Sequence, residues 1–148
     1  MDKLAARLPL PERRKEIVEA CVGLLETEVG RKTGMSGLAV KTAYKVFKAI
    51  KPGLAREAID GLLDDFVDSL DPLHGQFQAE PRGSFGGFLK GRAHEAAEAL
   101  LGVTDRRADG SRHTTLVKLY RKLRPAALRN VEEAVPGLGD LFDRFYRP

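Results

Sequence analysis

Residues 36–70 read SGLAVKTAYKVFKAIKPGLAREAIDGLLDDFVDSL, and this stretch decides the fold class. On both sides of a break at Lys51-Pro52-Gly53, apolar residues recur at intervals of three and four, the spacing of amphipathic helices. Because the connection is so short, the two helices are predicted to form a central antiparallel hairpin over about 36–70. Ser36 is the predicted N-cap of the first helix. The predicted core side chains of the hairpin are Val40, Phe47, Ile59, Leu63, Phe66 and Leu70.

The two helices of the hairpin carry strips of opposite charge. The lysine strip consists of Lys41, Lys45, Lys48 and Lys51, and the acidic strip consists of Glu57, Asp60, Asp64, Asp68 and Asp71. Charge runs are usually solvated helix faces. Like charges four residues apart nevertheless repel by a few tenths of a kcal/mol, and this cost favours a partner for the acidic strip. The candidate partners are a basic protein surface, divalent cations and the lysine strip of a second copy.

Helical periodicity continues on both sides of the hairpin. A first helix is predicted over about 11–29, a short helix over about 72–79, and further helices over about 85–90 and 93–103. Loops are predicted at 80–87 and 105–113. A helix from Thr114 or Thr115 to Arg124, another from Pro125 that ends before Pro136, and a last amphipathic turn at 138–145 complete the chain. No alternating β pattern or internal repeat is visible. The prediction is one all-α domain over residues 1–148, a bundle of about six to eight helices.

Composition supports a folded protein. The 148 residues are 43% hydrophobic and 31% charged, which excludes a disordered chain. No run of residues reaches the roughly 20 apolar positions of a membrane span, and no secretory leader is recognised at the N-terminus. Cys21 is the single cysteine, so an internal disulfide is excluded, and its place on an apolar stripe predicts a small buried side chain. A cytoplasmic location is expected.

Familiar catalytic motifs are incomplete in this sequence. Gly30–Gly34 has a Lys-Thr pair but lacks the glycine before the lysine that a phosphate loop needs. His94 begins a zinc-protease pattern, but Glu98 stands where the second histidine belongs. His74, His94 and His113 are far apart and are each predicted on a polar face or loop. No catalytic residue, cofactor or metal site is therefore predicted, and the protein is expected not to be an enzyme.

A second basic segment, Arg112–Arg129, contains no acidic residue. Its predicted contact residues are Lys118, Arg121 and Lys122, and its predicted buried side consists of Leu116, Leu119, Tyr120 and Leu123. The primary functional expectation is a non-enzymatic protein-interaction module that uses charged helix faces, with self-association as one form. One alternative is nucleic-acid binding through Lys41, Lys45 and Lys48 or through Arg112–Arg129. The other alternative is a bundle that binds a small molecule or a lipid between its helices.

Several stretches carry a family resemblance. They are Ser36–Lys41, Val46–Gly53, Asp60–Val67, Gly83–Gly86 and Ala134–Leu138. With these stretches the chain resembles an uncharacterised family of small all-helical bacterial proteins, a domain of unknown function. The resemblance implies a bacterial, cytoplasmic, one-domain protein, and it transfers no catalytic residue.

Overall fold

The computed structural model describes residues 2–148, and this part of the chain forms seven α-helices and no β-strand. A 3-10 helix over Leu4–Arg7 precedes the α-helices. In chain order they are α1 (Arg14–Arg31), α2 (Gly34–Ile50), α3 (Leu54–Ser69), α4 (Asp71–Ala79), α5 (Phe85–Lys90), α6 (Ala93–Asp109) and α7 (Thr114–Phe145). The predictions of an all-α fold and of six to eight helices are confirmed.

The chain divides into two compact units. The larger unit contains residues 2–8 and 64–148, and the smaller unit contains residues 9–63. Helix α3 contributes residues 54–63 to the smaller unit and residues 64–69 to the larger one. The organisation as a single domain stays a prediction.

In the smaller unit, α2 packs against α1. Gly34 begins α2 with a φ of 72°, a left-handed conformation that glycine adopts without strain, and Thr33 takes the N-cap position. The predicted N-cap at Ser36 is therefore wrong, because the glycine lets the helix begin earlier. Gly37 lies so close to the linker between α1 and α2 that a Cβ atom there would be 2.6 Å from the Lys32 carbonyl carbon.

The predicted central hairpin is only partly supported. The break at 51–53 separates α2 from α3, and Gly53 turns the chain with a φ of 76°. Helix α2 packs against α1. Its packing against α3 stays a prediction. Among the predicted core side chains, Leu63 and Leu70 are buried. The others are only half-buried, namely Val40, Phe47, Ile59 and Phe66.

In the larger unit, α7 packs against both α5 and α6. The backbones of α5 and α7 touch where Gly86 meets Gly139. A Cβ atom at Gly86 would lie 2.1 Å from the Gly139 carbonyl oxygen, and one at Gly139 would lie 2.6 Å from the Gly86 carbonyl oxygen. The core of this unit is centred on Phe85, whose ring contacts those of Phe77 and Phe142.

The C-terminal part of the chain corrects two predictions. Helix α6 continues to Asp109, through part of the predicted loop at 105–113. Helix α7 is one helix of 32 residues that contains Pro125 and Pro136, where the sequence predicted three separate elements. Both proline rings are exposed. Each proline deprives a carbonyl of its intrahelical hydrogen bond, and on the exposed side water can bond that carbonyl instead. Packing of α7 on α5 and α6 offsets the remaining free-energy cost of the prolines.

Candidate functional site

Helix α2 has two apolar faces. Val40, Tyr44 and Phe47 form the face toward α1 and are half-buried. The opposite face is exposed and carries large apolar side chains over four turns. The exposed fractions are 86% for Met35, 63% for Leu38, 61% for Val46 and 70% for Ile50. Small residues fill the space between them, namely Ala39, Thr42, Ala43 and Ala49. Isolated exposed apolar residues are common, whereas contiguous exposed apolar patches larger than a few hundred Å² are typical of interaction surfaces.

Lysines line one flank of this exposed face. Lys41, Lys45 and Lys48 are exposed, and α2 itself contains no acidic residue. Within residues 2–148, no ion pair engages Lys41 or Lys45, whereas the Lys48 ammonium lies 5.0 Å from the centre of the Tyr44 ring. The fourth lysine of the strip, Lys51, bonds Glu57 at 2.9 Å. We call Met35, Leu38, Val46, Ile50, Lys41, Lys45 and Lys48 together the α2 surface.

The acidic strip is largely engaged inside the chain. Besides the Glu57 contact with Lys51, the Asp60 carboxylate bonds the Arg14 guanidinium at 2.7 Å. The Asp71 carboxylate accepts a hydrogen bond from the Leu4 N–H at 2.9 Å. Asp64 also interacts within the chain, and Asp68 is exposed. Four of the five acidic residues therefore have contacts within the chain, and Asp68 is the exception among the described contacts. Docking through the acidic strip stays a prediction.

Three leucines of the second basic segment were predicted to be buried, and this prediction is wrong. Leu116, Leu119 and Leu123 are exposed and form a stripe of two turns. Helix α7 instead faces α6 through Tyr120 and Arg124, which lie on another side of the helix. Of the predicted contact residues, Lys118 and Lys122 are exposed, whereas Arg121 is paired with Asp109.

A polar cluster joins α6 to α7 in place of those leucines. The Arg124 guanidinium bonds Asp105 through Nε at 2.9 Å and Nη2 at 2.8 Å, and it reaches Glu98 at 3.1 Å. The Tyr120 hydroxyl donates to Asp105 at 2.6 Å. The hydrogen bonds from Arg124 hold the pKa of Asp105 below its usual value. Two-point Arg–carboxylate contacts fix geometry, so we assign this cluster a structural role.

The three histidines lie in different environments. His74 is fully buried against Phe85, with Nε2 hydrogen-bonded to the Tyr146 hydroxyl at 2.8 Å, so its predicted placement on a polar face is wrong. Its side of α4 faces the aromatic core. His94 is exposed, and its Nδ1 lies 2.6 Å from the Glu132 carboxylate. His113 is exposed directly before α7.

The histidines allow a test by pH titration. Burial lowers the pKa of His74, and the nearby Asp71 carboxylate opposes this shift only in part. The hydrogen bond to Glu132 raises the pKa of His94. Titration of the ring protons by NMR should therefore place the His74 midpoint below 6.5 and the His94 midpoint above it. In Glu132→Gln the His94 midpoint should fall and the His74 midpoint should stay. A His94 midpoint that is unchanged in this variant contradicts the ion pair.

These shifts also set the direction of the pH dependence of stability. His74 binds a proton less readily in the folded chain than in the unfolded one, so protonation destabilises the fold as pH falls below about 6.5. The His94 ion pair has the opposite sign. Its contribution is present below the unfolded pKa and is lost as pH rises through the raised folded pKa.

The remaining reactive side chains are the Cys21 thiol and the metal-ligating residue types. Cys21 is half-buried on α1, and burial raises the pKa of its thiol to about 11, which keeps it protonated at neutral pH. In the described residues, no group of three or more His, Cys, Asp or Glu side chains is arranged to hold a metal ion. Among the same residues, no helix is both long enough and apolar enough to cross a membrane.

Sequence reasoning found the lysines of the α2 surface but not its exposed apolar face. A helical projection shows where apolar residues lie, but not which of them a neighbour covers. The available signal was the width of the apolar arc on α2, which extends from Leu38 round to Phe47. That arc is wider than one neighbouring helix covers.

Comparison with known proteins agrees with the resemblance noted above. No curated protein and no solved structure shows significant similarity to the chain. A family model described as "Family of unknown function (DUF6918)" matches residues 4–146. The expectation of an uncharacterised family is thereby confirmed, whereas the bacterial origin stays a prediction. The chain belongs to the DUF6918 family, a family of unknown function.

Proposed function

We propose that this protein is a non-enzymatic, cytoplasmic interaction module that docks an amphipathic helix of a partner protein on the α2 surface. The observation that carries the proposal is the exposed apolar face of α2, with Met35, Leu38, Val46 and Ile50 on one stripe and unpaired lysines beside it. The single cysteine, which has no partner for an internal disulfide, supports a reducing compartment.

The apolar stripe supplies the driving force for docking. Burying a large apolar side chain stabilises by about 1.5–3 kcal/mol, and four such side chains lie exposed on α2. Ala39 and Ala43 lie one turn apart between them, so another helix can approach α2 closely. An apolar helix laid along such a stripe is a common mode of peptide recognition.

The lysines decide the chemistry of the partner. Lys41 and Lys45 border the apolar stripe without a carboxylate of their own, so the docked helix should carry glutamate or aspartate beside its apolar residues. A second α2 helix cannot meet this need, since α2 has no acidic residue. A lipid surface is the other candidate for an apolar face flanked by lysines, and the comparison with phosphatidylserine vesicles below distinguishes the two.

A synthetic peptide provides the test. The probe is a helix of about 18 residues, roughly five turns, with a Leu/Ala stripe flanked by glutamates. Fluorescence anisotropy should show saturable binding to the wild-type protein that weakens as salt increases, because the charged flanks are screened. Reversing Lys41 and Lys45 to glutamate should weaken binding at least tenfold, and a peptide with lysines in place of the glutamates should not bind.

A matched control is available on α7. Lys118 and Lys122 are likewise exposed beside apolar residues, and reversing them to glutamate changes the net charge by the same amount. Binding of the acidic peptide should stay within about twofold of wild type in this control. Equal losses from both double variants mean that only net charge matters. Tighter binding to duplex DNA or to phosphatidylserine vesicles than to the peptide favours the nucleic-acid or lipid alternative. Either result contradicts the proposal.

A further inference from the structure

Met35 is the most exposed of the four large apolar side chains on the α2 surface. It is 86% exposed, whereas Leu38, Val46 and Ile50 are 63%, 61% and 70% exposed. It lies in the first turn of α2, one helical turn before Leu38, on the stripe that a docked helix covers. An exposed methionine is open to oxidants, which convert its thioether to a sulfoxide. The same side chain therefore serves docking and is accessible to a specific chemical change.

Oxidation reverses the character of the Met35 side chain. A thioether is apolar and adapts its shape to the surface that covers it, whereas a sulfoxide is polar. A docked helix that covers Met35 with an apolar residue would remove the sulfoxide oxygen from water without supplying a hydrogen bond. In the free chain the sulfoxide stays in water, because Met35 is exposed there. Oxidation should therefore weaken binding and leave the stability of the fold unchanged.

The other sulfur atom within residues 2–148 belongs to Cys21. Peroxides react with the thiolate form of cysteine, and Cys21 is half-buried with a thiol pKa raised by burial to about 11. Its thiol is therefore protonated and partly covered at neutral pH. A thioether has no proton to lose, so the reactivity of Met35 does not depend on such an equilibrium. Of these two sulfur atoms, that of Met35 is the one a peroxide reaches.

We propose that Met35 is an oxidation site at which a peroxide reversibly weakens docking on the α2 surface, an inference that rests on the proposed function. The sulfur lone pair attacks one oxygen of hydrogen peroxide, the O–O bond breaks and an S–O bond forms. The sulfur loses two electrons, and the other peroxide oxygen leaves as water. A methionine sulfoxide reductase reverses the change, since two thiols become a disulfide and the sulfoxide oxygen leaves as water.

The test combines peptide mapping with binding of the acidic peptide, which contains no sulfur. Hydrogen peroxide should add one oxygen atom to the tryptic fragment of residues 33–41, and saturating acidic peptide should slow this addition. Because the contribution of one large apolar side chain is lost, the oxidised protein should bind the peptide about fivefold more weakly or worse. A methionine sulfoxide reductase should restore the affinity. The midpoint of urea unfolding should be the same before and after oxidation.

Met35→Leu is the matched control, since leucine is apolar, similar in volume and free of sulfur. This variant should bind the peptide within about twofold of wild type, and peroxide should leave its affinity unchanged. Met35→Gln, with a polar side chain of similar length, should bind as weakly as the oxidised wild type without any treatment.

The proposal is overturned if oxidised and untreated wild type bind equally, if the added oxygen lies on Cys21 instead of Met35, or if peroxide weakens binding to Met35→Leu as much as to wild type. Each of these results leaves the docking of the acidic helix standing. Failure of the untreated wild type to bind the peptide instead overturns the docking role itself, so the two failures are distinguishable.

Discussion

Replacing Phe85 with alanine should lower the free energy of unfolding by about 3–5 kcal/mol, the range for deleting a fully buried aromatic ring. The Phe85 side chain is 1% exposed. Its ring lies 5.2 Å from that of His74, 5.7 Å from that of Phe77 and 5.6 Å from that of Phe142. Its loss leaves a cavity that elements from three parts of the chain cannot close. Urea unfolding followed by circular dichroism measures the change.

Phe66→Ala is the control for this prediction, because Phe66 is only half-buried on α3. Truncating a partly exposed phenylalanine removes less buried apolar area than truncating a buried one. The decrease in the free energy of unfolding should therefore be clearly smaller than for Phe85→Ala. Equal losses in the two variants contradict the placement of the core on Phe85.

Gly139→Ala should destabilise the protein by about 1–3 kcal/mol, a large effect for a single methyl group. The added Cβ would lie 2.6 Å from the Gly86 carbonyl oxygen, and both groups are backbone of packed helices, so neither can move alone. Gly86→Ala should have a comparable effect for the same reason. The free energy of unfolding from urea titration is again the measurement.

Gly23→Ala reverses the sign of this effect. Gly23 lies exposed inside α1, and no atom lies within 4 Å of a Cβ atom placed there. Alanine should therefore stabilise by about 0.5–1 kcal/mol through its higher helix propensity. If Gly23→Ala and Gly139→Ala destabilise the protein equally, the contact between α5 and α7 is not the cause of the destabilisation at position 139.

The short helices were the most predictable part of the fold. Asp71-Pro72 predicts the beginning of α4, and the predicted segment at 85–90 coincides with α5. Prolines explain the largest error. Proline ordinarily ends a helix. Helix α7 continues through Pro125 and Pro136, and whether it can do so depends on solvent exposure and tertiary packing, which the local sequence does not reveal.

The candidate site was predictable in its charges and not in its contacts. Lys41 and Lys45 stand exposed on α2, where the helical projection places them. The exposure of Val46 and Ile50 was not predictable, because it follows from the choice of α1 as the neighbour of α2.

The dissociation constant of the acidic peptide for Val46→Asp tests the docking role of the α2 surface most directly. Val46 is 61% exposed at the centre of the stripe, so the change should alter stability by no more than about 0.5 kcal/mol. Leu119→Asp places the same charge on an exposed stripe of α7 and is the control. Val46→Asp should weaken binding at least tenfold, about 1.4 kcal/mol, and Leu119→Asp should leave it within twofold. Equal affinities of Val46→Asp and wild type would contradict docking on the α2 surface.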